Sequence, residues 1–300
     1  MVDEVLVVGA RGRVGREVLR ALGETNANVR SLVRTPSKVP PPHVREVPGD
    51  LGDPASLAAA LDGVTSVFFV TPHTENEQQL GENLVDAAIA AKVRRVVFAS
   101  AFHPNPTSKL GYSLFVGIAS LFTHYGPKLR VEGRVRFRAP SPVVLMPPNF
   151  FQNDELYLPE IRGGRYPQPL GPKGVNRVDC RDIGDAAARA LVGTTIDAGA
   201  YPLVGPEPFL SGPACAAVWA EALGREVAYD GDVARWYSLV EARMHARERE
   251  DFKKTYQLFH KARIAATPAQ LASTTTLLGK PPRAYAAYVR EVAQRTDCMS

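Results

Sequence analysis

Glu4-Val5-Leu6-Val7-Val8-Gly9-Ala10-Arg11-Gly12-Arg13-Val14-Gly15-Arg16-Glu17-Val18-Leu19 stands near the start of the chain and decides its fold. Val5 to Val8 are apolar and mostly β-branched, the pattern of a strand buried on both faces. Val14, Val18, Leu19 and Leu22 then recur at helical spacing. Between the two runs stand three glycines, each three residues after the last. A strand, a glycine turn and a helix in that order predict a phosphate site, because the helix start offers unpaired N–H groups and a positive dipole end. Gly9 would allow the sharp turn, Gly12 a close approach of a pyrophosphate, and Gly15 close packing of helix on strand.

The same alternation continues along the chain. Asn28 to Val33 reads as a second strand, and Arg34 stands at its carboxyl end with Lys38 four residues on. In a doubly wound sheet this place faces the adenosine ribose. An acidic residue there would suit the 2′-hydroxyl of NAD. A planar guanidinium suits a 2′-phosphate, so NADP is the expected cofactor and NAD the less favoured one. The alternative for Arg34 is a solvated surface cation.

Val44 to Val47 reads as a third strand. It is followed by Asp50 and Leu51, then by a helix with Asp53 as N-cap and Pro54 at its first position. Asp50 is either an adenine contact or a turn carboxylate bonding local backbone. Ser66 to Val70 reads as a strand ending at Thr71-Pro72-His73, Glu77 to Ala91 as a helix, and Arg94 to Ala99 as a strand ending at Ser100. Parallel strands with crossovers mean a doubly wound α/β sheet whose ligands lie at the strand carboxyl ends. Gly9, Arg34, Asp50, Thr71 and Ser100 are therefore expected to share one crevice.

His124-Tyr125-Gly126-Pro127-Lys128 is expected on a helix, with His124 and Lys128 four apart on one face and Tyr125 three from Lys128. An imidazole or phenol beside an ammonium suits proton transfer to a carbonyl. Pro127 interrupts this pattern, so the helix either begins there or kinks. Arg130, Arg134 and Arg138 fall on one face and read as a solvated stripe near Glu132. Val143 to Met146 is a sixth strand, followed by Pro147-Pro148-Asn149-Phe150-Phe151-Gln152-Asn153. Asn149 there would either fix an amide or bond backbone.

Composition changes afterwards. A loop rich in glycine and proline covers 163–172. Asp179 to Val192 reads as a helix with Asp182 as candidate N-cap, and Val233 to Ile264 as a helical pattern with a Glu250–Lys254 pair. The expected division is a nucleotide-binding domain at 1–153 and a smaller, mostly helical substrate lobe at 154–300, with parts near 175–205 returning to the sheet.

The net charge of +5 is mild and no dense basic patch appears, which argues against nucleic acid as a partner. Cys180, Cys215 and Cys298 are odd in number and far apart, as expected of a reducing compartment rather than a disulfide framework. The first strand begins at residue 4, leaving no room for a signal peptide. The longest apolar run, Leu114 to Phe122, is far below the roughly 18 residues of a membrane span. A cytoplasmic protein is expected. A Gly-x-Ser-x-Gly elbow, a Gly-Lys-Ser/Thr loop and metal-ligand spacing are all missing from the sequence, so hydrolase, NTPase and zinc-enzyme readings fall away.

Taken together, Gly9-Ala10-Arg11-Gly12-Arg13-Val14-Gly15, Leu32-Val33-Arg34-Thr35-Pro36-Ser37-Lys38, Gly49-Asp50-Leu51, Val96-Val97-Phe98-Ala99-Ser100, Pro147 to Asn153 and Leu278-Gly279-Lys280-Pro281-Pro282-Arg283 resemble the NmrA-like family, an atypical branch of the short-chain dehydrogenase/reductase superfamily. The resemblance implies a Rossmann domain binding NADP, with Arg34 on the 2′-phosphate, Asp50 near adenine and Lys128 in the place of the family's ribose-binding lysine. It also implies a histidine or tyrosine four before that lysine, where His124 stands. Three departures mark the chain. Arg11 replaces the usual threonine of the turn, Gly126-Pro127 precedes Lys128, and Met146 stands where an arginine commonly precedes the proline.

The function expected from all this is an NADPH-dependent reductase passing hydride to a small, fairly apolar acceptor such as a quinone, enone, imine or aromatic carbonyl. The rival expectation is a sensor that binds NADP without turnover and signals to a protein partner. The expected cofactor contacts are Gly9, Arg11, Gly12, Arg13, Val14, Gly15, Arg34, Lys38, Asp50, Leu51, Thr71, Pro72, Ser100, Lys128, Pro148, Asn149 and Phe150. Lys128, His124 and Tyr125 are the expected catalytic group. No membrane partner is expected, and the chain is expected to be a monomer or homodimer.

Overall fold

In the computed structural model, which describes residues 2–122, 124–193 and 195–295, the opening stretch forms β1 (Glu4–Val8), the glycine turn and α1 (Arg13–Leu22). β2 (Asn28–Val33), β3 (Val44–Pro48), α2 (Pro54–Leu61), β4 (Ser66–Phe69), α3 (Glu77–Ala90) and β5 (Arg95–Ala99) follow. Asp53 caps α2 by accepting the Ala55 N–H, and Pro54 opens the helix, as expected. α4 (Lys109–Phe122), α5 (Gly126–Arg138) and β6 (Pro142–Met146) complete this run. The chain then forms β7 (Asn149–Phe150), a 3-10 segment over Phe151–Tyr157, α6 (Leu158–Arg162), β8 (Arg165–Tyr166) and β9 (Arg177–Val178). α7 (Cys180–Leu191) and β10 (Gly199–Pro202) come next. α8 (Gly212–Leu223), β11 (Ala228–Tyr229), α9 (Val233–Leu239), α10 (Ala246–Lys261), α11 (Pro268–Leu278) and α12 (Tyr285–Arg295) end the described chain. None of the described helices is long and apolar enough to cross a membrane.

The chain divides into two compact units. The first holds Met1–Pro147, Cys180–Leu203 and Thr276–Gly279, and the second Pro148–Asp179, Val204–Thr275 and Lys280–Ser300. In the first, seven parallel strands lie in the order β10-β6-β5-β4-β1-β2-β3. The strand order reverses between β1 and β4, where Val8 pairs with Phe69. This is the doubly wound Rossmann arrangement, and a ligand crevice belongs at that reversal. Val67, Phe68 and Phe69 of β4 and Val96, Val97 and Phe98 of β5 are almost wholly buried, as strands covered by helices on both faces must be.

α7 returns to this unit and packs along α1. The approach is close enough that a Cβ on Gly184 would stand 2.4 Å from the Glu17 carbonyl oxygen. Beside it, Arg20 of α1 reaches Asp185 of α7 at 2.5 Å and Glu17 at 2.8 Å. Asp182 does not cap α7: the helix already begins at Cys180, so Asp182 lies buried in its first turn.

The second unit has its own aromatic core, including Phe151, Tyr157, Trp219, Trp236, Tyr256 and Tyr285. Within it lies a fully buried ion pair, Arg177 to Asp154 at 2.8 Å. Asp154 also accepts from the Tyr166 hydroxyl at 2.8 Å, the Trp219 indole at 2.9 Å and the Tyr285 hydroxyl. Arg177 donates to Asn149 Oδ1 at 2.9 Å and to the Phe150 carbonyl at 2.8 Å. Burial pushes the phenols of Tyr166, Tyr256 and Tyr285 well up, so they remain neutral. The helical pattern over 233–264 is two helices, broken between Leu239 and Ala246. Tyr256 and Phe259 face the core there. Glu250 accepts from the Tyr237 hydroxyl and lies 3.8 Å from Lys253, and that hydroxyl, Lys253 and Lys254 together hold its carboxyl below the usual carboxylate range. Cys180 and Cys215 are buried thiols, and Cys298 lies outside the described residues.

Two stability outcomes follow. Gly184→Ala forces α7 off α1 and should cost about 1–3 kcal/mol, read as a lower urea midpoint at unchanged m-value. Arg177→Met leaves the Asp154 carboxylate buried without its cation and should cost about 3–5 kcal/mol by the same measurement.

Candidate functional site

The turn between β1 and α1 is built as its glycines require. Gly9 has φ +83°, and a Cβ there would stand 2.7 Å from Val70 Cγ1. A Cβ on Gly15 would stand 2.1 Å from the Gly9 carbonyl oxygen, so the helix can lie this close only without a side chain. Gly12 is the N-cap and its N–H donates to the Gly9 carbonyl at 3.0 Å. No acidic residue stands in the first turn of α1, leaving the positive dipole end uncompensated by side-chain charge. Val14 is buried and anchors the helix, while Arg13 is exposed.

Arg11 spans from this turn to the loop after β2. Its Nη2 donates to the Thr35 carbonyl at 2.8 Å and to Ser37 Oγ at 3.0 Å, and lies 3.3 Å from Glu46 Oε1. Arg34 and Lys38 are exposed in the same loop. Asp50 behaves as a turn carboxylate: its Oδ1 accepts the Gly52 N–H at 2.7 Å. The Leu51 carbonyl beside it accepts from Asn83 Nδ2 at 2.9 Å.

At the end of β4, Thr71 and Lys128 meet. Lys128 Nζ donates to Thr71 Oγ1 at 2.6 Å and pairs with Glu77 Oε1 at 2.7 Å, while the Thr71 hydroxyl donates to Glu77 at 2.6 Å. Thr71 and Glu77 are buried. Gly81 permits this closeness, since a Cβ there would stand 2.6 Å from Val131 Cγ2 and 2.9 Å from Thr71 Cγ2. Pro72 is half-buried and His73 exposed in the following loop.

The expected sharing of a helix face by His124 and Lys128 does not occur. α5 begins at Gly126, with Pro127 in its first turn, where a missing N–H costs no helical bond. His124 and Tyr125 lie in the turn before it. Their rings are 4.0 Å apart, and the His124 ring meets the His73 ring edge-on at 5.3 Å.

One turn beyond Lys128, Glu132 is fully buried and reaches the end of β5. The Ser100 hydroxyl donates to Glu132 Oε2. His103 Nε2 stands 3.0 and 3.1 Å from its two oxygens, and Arg136 Nε stands 2.6 Å from Oε1. The other ring nitrogen of His103 meets the Pro104 carbonyl, and its ring stacks on Phe115 at 4.9 Å. Tyr112 joins the cluster under the Arg136 guanidinium at 4.7 Å, its phenol pushed up by burial and by Glu132. Glu132 is therefore not part of a solvated stripe. Of the three arginines assigned to that stripe, Arg134 pairs with Asp86 at 2.5 Å.

Met146 is buried with its sulfur 3.4 Å from Arg136 Nη2. Pro148, Asn149 and Phe150 belong to the second unit, where Arg177 fixes the Asn149 amide oxygen.

Sequence reading passed over Glu77, His103, Glu132 and Glu46. Glu132 carried one usable signal, its place four residues after Lys128 and so on the same helix face. Glu46 and His103 meet their partners across strand and loop, and no local spacing marks them.

The family model described as "NmrA-like family" matches residues 1–270. An NAD(P)H azoreductase from Xenophilus azovorans is 34% identical over 229 residues, covering 75% of this chain and 76% of that protein. The (4-alkanoyl-5-oxo-2,5-dihydrofuran-3-yl)methyl phosphate reductase of Streptomyces griseus is 29% identical over 296 residues, covering 97% and 98%. The Citrobacter triphenylmethane reductase solved with NADP(H) superposes with a TM-score of 0.78 at 20% identity, over 97% of this chain and 99% of that one, and so shares the fold. With a match of the family model over most of its length, the chain belongs to the NmrA-like family.

Proposed function

We propose that this protein is an NADPH-dependent reductase that passes hydride to a small, fairly apolar acceptor, of the quinone, enone, imine or aromatic carbonyl class. The observation that carries the reading is the glycine turn at the strand-order reversal, where Gly9 and Gly15 let strand and helix lie closer than any side chain would allow. Membership of a family whose relatives include an NAD(P)H azoreductase supports it.

The residues fit a dinucleotide. Gly9, Gly12, Val14 and Gly15 would present the α1 N-terminus to the pyrophosphate, with Arg11 and Arg13 adding positive charge. Arg34 and Lys38 would hold the 2′-phosphate. Leu51 would border adenine, with Asp50 beside it through its turn. Thr71, Pro72, Ser100 and Lys128 would line the part toward the nicotinamide.

A bound NADPH would supply the hydride. The chain's own groups would do the rest. Glu77 and Thr71 hold the Lys128 ammonium in one place, which would spend little further entropy when it meets a ribose hydroxyl. Glu132 holds the Ser100 hydroxyl in the same manner. His124 or Tyr125 would deliver the proton that must follow the hydride.

Two measurements test this reading. With a panel of quinones, enones and imines, NADPH absorbance should fall in the presence of the protein, and Lys128→Ala should lower kcat about 100-fold or more. Tight NADPH binding with no turnover would instead mark a sensor. Arg34→Ala should raise the Kd for NADPH about tenfold or more while leaving NADH nearly unchanged, by loss of a charge-assisted contact. Equal losses for both nucleotides would refute the 2′-phosphate role.

A further inference from the structure

β3 is the edge strand of the first unit's sheet, and Glu46 stands opposite Ser31 in its register with β2. An edge glutamate normally points to water. The Glu46 side chain is instead only 7% exposed. It reaches back under the loop that follows β2. One carboxylate oxygen accepts the Ser37 backbone N–H. The other accepts from Ser37 Oγ at 3.0 Å and from Arg11 Nη2 at 3.3 Å.

These three donors are a backbone N–H, a hydroxyl and a guanidinium, all aimed at one anion. That is the donor set that takes a phosphate monoester. It lies in the same loop as Arg34 and Lys38, and Arg11 ties it to the glycine turn. The anion that fills it here belongs to the protein.

We propose that Glu46 is an internal occupant of the anion cradle that the 2′-phosphate of NADPH would use, and that it thereby limits the chain's preference for NADPH over NADH. The inference rests on the reading of Arg34 as the 2′-phosphate contact. Glu46 is a specificity determinant acting through Arg11 and Ser37.

Two anions compete for the cradle. A phosphate dianion entering beside an ionised carboxylate is repelled, and it finds Ser37 and Arg11 already bonded. The Ser37 and Arg11 hydrogen bonds hold the Glu46 carboxyl below the usual carboxylate range, so it stays charged at neutral pH. NADPH must therefore either displace Glu46 from the cradle or bind through Arg34 and Lys38 without Arg11 and Ser37. NADH brings two ribose hydroxyls and no charge to this place, and meets no such opposition.

The test uses the full chain, calorimetry at one ionic strength, and four probes: NADPH, NADH, adenosine 2′,5′-bisphosphate and AMP. Glu46→Gln keeps the shape, and its amide oxygen can still accept the Ser37 N–H, so the loop is retained. Glu46→Ala is the second variant, and thermal midpoints of both report that the fold persists. Removing the charge should tighten NADPH and the bisphosphate about three- to tenfold, while NADH and AMP change less than about twofold. Unchanged or weaker NADPH binding in both variants, with Arg34→Ala still selectively weakening NADPH, overturns the role of Glu46 and leaves the cofactor reading standing. A chain that binds the bisphosphate no better than AMP in the wild type and in both Glu46 variants, with Arg34→Ala neutral, overturns both.

Discussion

The first unit depends on one close contact, the seating of α1 on the turn that ends β1. A side chain on Gly15 would stand 2.1 Å from the Gly9 carbonyl oxygen, and one on Gly9 would meet Val70 at 2.7 Å. Neither distance is one that a small backbone shift can absorb. With α1 held this low, α7 can lie against its other side, where Gly184 repeats the same economy of volume against Glu17. β1, α1 and α7 thus form a stack fixed by missing side chains. The same stack leaves the amide end of α1 at the place where the sheet reverses, which ties the proposed phosphate site to the packing rather than to any added loop.

Around that stack the polar groups at the strand ends share one design. A buried or mostly covered carboxylate holds a cation or a hydroxyl: Glu46 for Arg11 and Ser37, Glu77 for Lys128 and Thr71, Glu132 for Ser100, His103 and Arg136. Lys128 and Glu132 are four residues apart on α5, so one helix face serves two neighbouring strand ends. Such groups do not wander before a ligand arrives. Groups already in place lose less freedom on binding, and fixed dipoles and charges stabilise developing charge better than ones that must reorganise.

The backbone frame was legible because it is written in local pattern. β-branched runs, glycine spacing and the Asp53-Pro54 start all act over a few residues, and β1 to β6 and α1 to α3 stand where those patterns put them. The site was legible only in part. Gly9, Gly15 and Arg34 could be placed by strand-end reasoning. The partner of Lys128 could not, since Glu77 lies on another helix and only the fold brings it there. Glu132 went unassigned because the arginines around it read as a solvated stripe, whereas α5 turns it inward to Ser100 and His103. Of the two outcomes left open at Pro127, a helix start or a kink, the structure takes the start. Pro127 is better used to start a helix than to be carried inside one, so α5 begins at Gly126 and His124 falls outside it.

The second unit extends the same logic to a core. Asp154 and Arg177 are both fully buried, and a charge pair in that position costs stability unless its remaining hydrogen-bonding capacity is met. Here it is met by Tyr166, Trp219 and Tyr285 on one side and by Asn149 and Phe150 on the other. Those partners come from β8, α8, α12 and β7, four elements distant in sequence. An apolar core of equal volume could slide among several packings, but this one has a single arrangement in which every donor finds its acceptor. The ion pair therefore fixes the register of β7 against β9, and with it the direction in which the Asn149 amide faces.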